Sequence, residues 1–328
     1  METLKEVLRL KKELNVTIAA HYYQRDEIIA AADLIGDSLE LSRKASADPN
    51  EYLIFCGVGF MAQSVKTLAP AKRVLMPRIA CCSMARMIDG ASYDRSIERL
   101  EKAGVPRENV MPITYINSQA EIKARVARMG GMACTSANAE NIIRRALKAG
   151  KKIFFMPDRC LGLNLAKRIG ISAATLGRDE DFASKEMVVY DGFCSVHQLF
   201  TTRDVDFYRE RYPGIMIAVH PECAPAVVDK ADFVGSTSQI IKWVQAKPIE
   251  QTIAVGTEFN LVNRLREKNT FVLSSTKPEC PTMNETTLRD LLGVLKSIEN
   301  AIFINEIEVE EDERKWAKIA LDRMLEEV

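Results

Sequence analysis

Short runs of apolar, often β-branched residues alternate along this chain with longer stretches whose apolar residues recur every three or four positions. That alternation predicts parallel strands joined by crossover helices, an α/β fold. The first strands are expected in VTIAAHYY, YLIFCGVGF and RVLMPRIACC, separated by the helical stretches GDSLELSRKASAD and MAQSVKTLAP. A second set comprises NVMPITYINS, GGMACTSANA, KIFFMPDRC and EMVVYDGFC, with AENIIRRALKAG as its clearest helix and Gly150 as that helix's C-terminal stop. The third set is GIMIAVHPEC, ADFVGSTSQ, TIAVGTE and TFVLSST, with SQIIKWVQAK and TTLRDLLGVLKSIEN as helices. The acidic end, EIEVEEDERKWAKIALDRMLEEV, reads as a terminal helix on a charged lead-in.

Each cycle opens with a strand that ends in a histidine or tyrosine plus a polar group: AAHYY, ITYIN and AVHPE. Each closes near a cysteine, Cys82, Cys194 or Cys280. The intervals suit one small α/β unit apiece, which implies a pseudo-threefold arrangement. The expected units are residues 1–88, 89–200 and 201–328, the last carrying the C-terminal helix.

Composition narrows the function. With 328 residues the chain can bury more than one core. Lys+Arg and Asp+Glu balance at 45 each, so no bulk charge points to nucleic acid or an anionic membrane. No apolar run has the length of a membrane span, and no basic leader precedes one. A cytoplasmic protein acting on small molecules is expected. Eight cysteines without a CxxC pair are too sparse for a disulfide scaffold, which leaves buried thiols, metal ligands or catalytic groups.

In open α/β sheets, ligands bind beyond the carboxyl ends of the strands. Asp37 and Ser38, Thr135 and Ser136, and Ser236 and Thr237 stand at expected helix starts. Free N–H groups and the helix dipole attract carboxylate or phosphate there, although the same residue types are ordinary N-caps. Three at equivalent points favour a small polyanionic substrate. All three histidines, His21, His197 and His220, lie at sheet ends, where acid–base groups serve chemistry. Cys56 and Cys134 sit in apolar runs and read as buried small hydrophobes, while Cys160 and Cys223 are ambiguous. Cys82, Cys194 and Cys280 share loop contexts from which three thiolates could converge on a soft metal or an iron–sulfur cluster.

The segments AHYYQ, ADLIGDSLEL, FCGVGFMAQSVKTLAP, CSMA, CTSANA, PDRCLG, GFCSVH, AVHPEC, GSTSQ, GTEFNLVNRL and CPTMNETTL follow in this order over almost the whole chain. Together they resemble the quinolinate synthase family, the A protein of bacterial NAD biosynthesis. The resemblance implies three similar αβα sandwich domains about a pseudo-threefold axis. It also implies one 4Fe-4S cluster at their junction, held by Cys82, Cys194 and Cys280 with one iron open to act as a Lewis acid. The implied reaction is a transferase-type condensation of iminoaspartate with dihydroxyacetone phosphate to quinolinate, releasing phosphate and water. A functional link to an aspartate-oxidising enzyme follows. By position, His21, Tyr23, Tyr115, His197, His220 and Glu222 are implied as catalytic. Ser38, Asn117, Ser136, Ser236 and Thr237 join His21, Tyr115, His220 and Glu222 as implied substrate contacts.

The chain departs from the family pattern in places. Cys81 stands directly beside Cys82, and Cys82 is the expected ligand because it begins the C-x-M-A pattern. Gln63 occupies the Glu position of FMAE, and Cys160 the Asn position of PDxNLG. Cys280 lacks the CxxCxxC neighbours that form a redox disulfide in some members. HYYQRDEII is a candidate lid. The competing readings are a non-catalytic iron–sulfur or zinc sensor of redox state or a dicarboxylate, and a zinc-dependent hydrolase.

Overall fold

The computed structural model of the chain describes residues 2–326. β1 (Val16–His21), β2 (Leu34–Gly36), β3 (Tyr52–Cys56) and β4 (Arg73–Leu75) form a sheet in the order β2-β1-β3-β4. β5 (Val110–Tyr115), β6 (Met132–Cys134), β7 (Lys152–Met156), β8 (Ala173–Thr175) and β9 (Met187–Val189) form a second, in the order β6-β5-β7-β9-β8. β10 (Met216–Val219), β11 (Phe233–Val234), β12 (Ile253–Gly256) and β13 (Thr270–Val272) form a third, in the order β11-β10-β12-β13. All strand pairings within the three sheets are parallel. The chain is α/β, as expected, with three parallel sheets consistent with three similar αβα units.

The central strands are mostly apolar and almost entirely buried because helices cover both faces of each sheet. In β1 every residue from Val16 to His21 is buried. Alternation therefore gives way to continuous hydrophobic runs, which is how these strands show themselves in the sequence. The apolar pattern omits β2 and β8, which are three residues each. It also merges two elements in YLIFCGVGF, where β3 ends at Cys56 and a helix, Gly59–Leu68, has already begun.

In each sheet the strand that comes first in the chain is central, and the second and third strands flank it. Crossovers diverge at that point and open a crevice beyond the carboxyl end. β1, β5 and β10 hold this place. The first two units share a core that runs from Phe55 and Met61 to Ile142 and Phe155. The last two helices return to these units. Leu291, Val294 and Leu295 of helix Leu288–Glu299 pack beside Val7 and Leu10 of helix Glu2–Glu13. Helix Glu311–Glu326 lies against helices Ala120–Arg128 and Gly59–Leu68, burying Leu321 and Met324 in the shared core.

Candidate active site

The three central strand ends converge on one cavity, whose lining includes His21, Tyr23, Tyr115, Asn117, His220 and Glu222. The ends of β1 and β10 form the same turn. Tyr23 N–H donates to His21 Nδ1 at 3.1 Å and Gln24 N–H to the His21 carbonyl at 3.0 Å. Glu222 N–H likewise donates to His220 Nδ1 at 3.3 Å and Cys223 N–H to the His220 carbonyl at 3.0 Å. A neutral imidazole whose Nδ1 accepts must carry its proton on Nε2. Burial pushes the pKa of both rings down to about 3, helped at His21 by Arg264 and opposed at His220 by Glu222. His21 and His220 are thus neutral Nε2–H donors on the cavity wall, not bases.

A hydrogen-bonded chain crosses the three units. Tyr115 Oη donates to Glu222 Oε1 at 2.7 Å, and His197 Nδ1 lies 2.9 Å from Glu222 Oε2. His197 Nε2 lies 3.1 Å from Thr257 Oγ1, which is 2.8 Å from Tyr23 Oη; Thr237 Oγ1 is 3.1 Å from the same phenol oxygen. Burial works to raise the pKa of Glu222, but the His220, His197 and Tyr115 contacts outweigh it and hold the carboxyl below its ordinary range. A Glu222 carboxylate can only accept, so His197 Nδ1–H donates to it, and in the neutral ring Nε2 accepts from Thr257. Thr257 has only one hydroxyl proton. Tyr23 must therefore donate to Thr257 and accept from Thr237. Burial, reinforced by Glu222, keeps Tyr23 and Tyr115 well above the usual phenol range, so both stay protonated.

The helix starts contribute unequally. Asp37 caps helix Ser38–Ala47 in a reciprocal box with Glu40, leaving Ser38 on the cavity wall. Ser236 caps helix Thr237–Gln245 through Gln239, so Thr237 reaches the cavity and Ser236 does not line it. Thr135 and Ser136 line the cavity, yet their helix begins only at Ala139. Asn138 Oδ1 accepts from Thr135 N–H at 2.7 Å, folding Thr135–Asn138 into a turn ahead of that helix. The amide oxygen of Asn117, also on the wall, is buried without a partner.

Cys82, Cys194 and Cys280 all face this cavity. Burial raises the pKa of each thiol, Cys82 to about 12, and charge on any one opposes charge on its neighbours. Among the described residues no lysine or arginine lines the cavity. Such a set stays protonated unless a metal centre supplies positive charge, and three sulfur donors fit a soft metal or an iron–sulfur centre. Cys194, His197 and Glu222 also place one ligand atom each within 4.8 Å of one another, a mixed set that could hold a metal ion. Cys81 is exposed and lies outside the lining.

The quinolinate synthetase A protein family matches residues 5–326. The chain belongs to this family. The quinolinate synthase of Helicobacter pylori strain HPAG1 is 53% identical over 326 residues, 98% of this chain and 96% of that relative. Quinolinate synthases of Streptomyces coelicolor and Geobacillus kaustophilus are each 40% identical, covering 94% of this chain and 84% and 88% of theirs. The chain is accordingly an enzyme.

Several residues that support this family site carry no obvious signature. Asn164 Nδ2 donates to the Pro221 carbonyl at 2.8 Å and the Cys223 carbonyl at 2.9 Å, bracketing Glu222. Arg264 donates to the carbonyls of Tyr22 and Gln24, and Asn260 to that of Tyr23, so the HYYQ turn is fastened to the third unit as a wall. Asn260 also donates to Asn284, which donates to the Cys280 carbonyl at 2.8 Å. The two departures lie behind the wall. Gln63 accepts from Ala120 N–H at the start of helix Ala120–Arg128, and Cys160 touches Gln198, which donates to the Glu222 carbonyl. Thr257 was open to the strand-end rule, since it directly follows β12.

Proposed function

We propose that this enzyme condenses iminoaspartate with dihydroxyacetone phosphate to give quinolinate, releasing phosphate and water. The observation that carries this reading is the chain Tyr23–Thr257–His197–Glu222–Tyr115, closed across all three units beside three converging thiols. Both substrates are anions, and the wall offers them hydroxyls of Ser38, Ser136 and Thr237, the Asn117 amide and the Nε2–H groups of His21 and His220. The orientation of the chain gives Tyr23 its task. As its oxygen takes a proton from the substrate, its own proton passes to Thr257, Thr257's to His197 Nε2, and the Nδ1 proton to Glu222. Tyr115 keeps the other carboxylate oxygen in place throughout. General acid–base catalysis of this kind contributes roughly 10²–10⁴-fold.

Cys82, Cys194 and Cys280 would hold a 4Fe-4S cluster, which when bound supplies Lewis acidity toward substrate oxygen. The alternative set of Cys194, His197 and Glu222 favours a single zinc-like ion, but ligation by His197 and Glu222 would break the hydrogen bond that joins them. We further place the unit boundaries at residues 88/89 and 200/201, and the enzyme in the cytoplasm. Among the described residues no helix is long and apolar enough to cross a membrane. The functional link to an aspartate-oxidising enzyme follows from the need for iminoaspartate. Anaerobically purified protein supplied with both substrates should form quinolinate, and metal analysis should return iron. Zinc without iron, and no quinolinate, would overturn the reading.

A further inference from the structure

The cavity takes anions on this reading, yet among the described residues no lysine or arginine lines it. A cation lies just behind one wall. Lys123, on helix Ala120–Arg128, is 1% exposed. Its Nζ donates to the Ile116 carbonyl at 2.9 Å and to that of Ser118, and stands 5.6 Å from the centre of the Phe60 ring. Phe60, Ile116 and Asn117 are cavity wall.

The charged groups around it are engaged elsewhere. On its own helix Arg125 pairs with Glu121 and with Asp94 of helix Gly90–Lys102, and Arg128 pairs with Asp312 of helix Glu311–Glu326. Glu313 on that last helix interacts with Glu121, Glu310 and the two arginines. On helix Gly59–Leu68, Lys66 donates to the Lys72 carbonyl, and Gln63 is uncharged. Across the cavity Glu222 is met by Tyr115 and His197. A buried ammonium without a counter-charge is costly, and an anion arriving on the other side of the wall relieves that cost.

We propose that Lys123 supplies the positive charge by which this cavity selects dianionic ligands, acting through the Ile116–Ser118 wall without touching them. The inference rests on the site binding dicarboxylate and phosphate anions. Burial lowers the Lys123 amine to about 7, so a bound anion also draws a proton onto it. Affinity then falls as pH rises through that value, because the amine loses its charge.

The experiment is calorimetric binding of quinolinate to anaerobically purified holoprotein, across pH, for wild type, Lys123→Met and Lys123→Gln. Iron content and thermal midpoint are recorded for each. Glutamine keeps a donor for the Ile116 and Ser118 carbonyls but carries no charge. Below pH 7 both variants should bind roughly tenfold more weakly or worse, a difference of order 1.4 kcal/mol. The gap should close as pH rises. If Lys123→Gln binds as wild type while Lys123→Met does not, the residue is a hydrogen-bonding brace and the proposal is wrong. Equal binding by all three at every pH overturns the charge assignment alone. Wild type that binds no quinolinate overturns the reading of the site, and the charge assignment with it.

Discussion

At the scale of single residues, one threonine determines how the polar chain is oriented. Thr257 has one proton and faces both His197 Nε2 and Tyr23 Oη, so its donation to one fixes its acceptance from the other. Thr257→Val keeps the shape and removes both bonds; kcat for quinolinate should fall about 100-fold with iron content unchanged, and Thr257→Ser should restore most of it. A valine variant with wild-type kcat would show that protons do not travel this way. The histidines and tyrosines of the site were legible because their residue types suggest chemistry at a strand end. Thr257 follows β12, where the strand-end rule applies, but its partners lie in the other two units and nothing local sets it apart from a cap. The role of the histidines also changed with the geometry. Nδ1 of His21 and of His220 is occupied by its own turn, which makes both of them donors.

At the scale of elements, the repeated strand–helix cycle was legible from continuous apolar runs, except at β2 and β8. β2 (LIG) runs straight into the polar start of helix Ser38–Ala47, and β8 (AAT) carries no bulky apolar residue to mark it. Helix starts were legible as polar clusters, but not which polar group caps and which faces the ligand. Asp37 shows the capping case: its carboxylate accepts from Leu39 and Glu40 N–H, and Ser238 of the third unit donates to its other oxygen. Asp37→Ala should cost about 1 kcal/mol in denaturant unfolding. Asn164 shows the supporting case. Asn164→Leu strips the donors from two carbonyls that bracket Glu222, and each buried carbonyl left unpaired costs about 1–3 kcal/mol. Its kcat should drop more than its affinity for quinolinate, measured by steady-state kinetics and calorimetry. A variant that loses stability alone would confine Asn164 to packing.

At the scale of the whole molecule, the site exists only where three units meet, and each contributes one thiol and part of the polar chain. Cys82→Ser, Cys194→Ser and Cys280→Ser should each lower the iron content of anaerobically purified protein, whereas Cys81→Ser should not. Unchanged iron in all three would remove the cluster assignment. The threefold grammar was visible from AAHYY, ITYIN and AVHPE, because each unit repeats the same central strand, and the first and third repeat the same turn. The return of the last two helices was not visible, since an amphipathic helix does not reveal which sheet it will cover. Helices Leu288–Glu299 and Glu311–Glu326 tie the end of the chain to the first two units. The most direct measurement compares quinolinate formation from iminoaspartate and dihydroxyacetone phosphate by wild type and Tyr23→Phe, with iron counted in both. Wild type should form quinolinate, and Tyr23→Phe should hold as much iron and form it at least about 100-fold more slowly. Wild type without product, or a phenylalanine variant that turns over normally, would contradict the account.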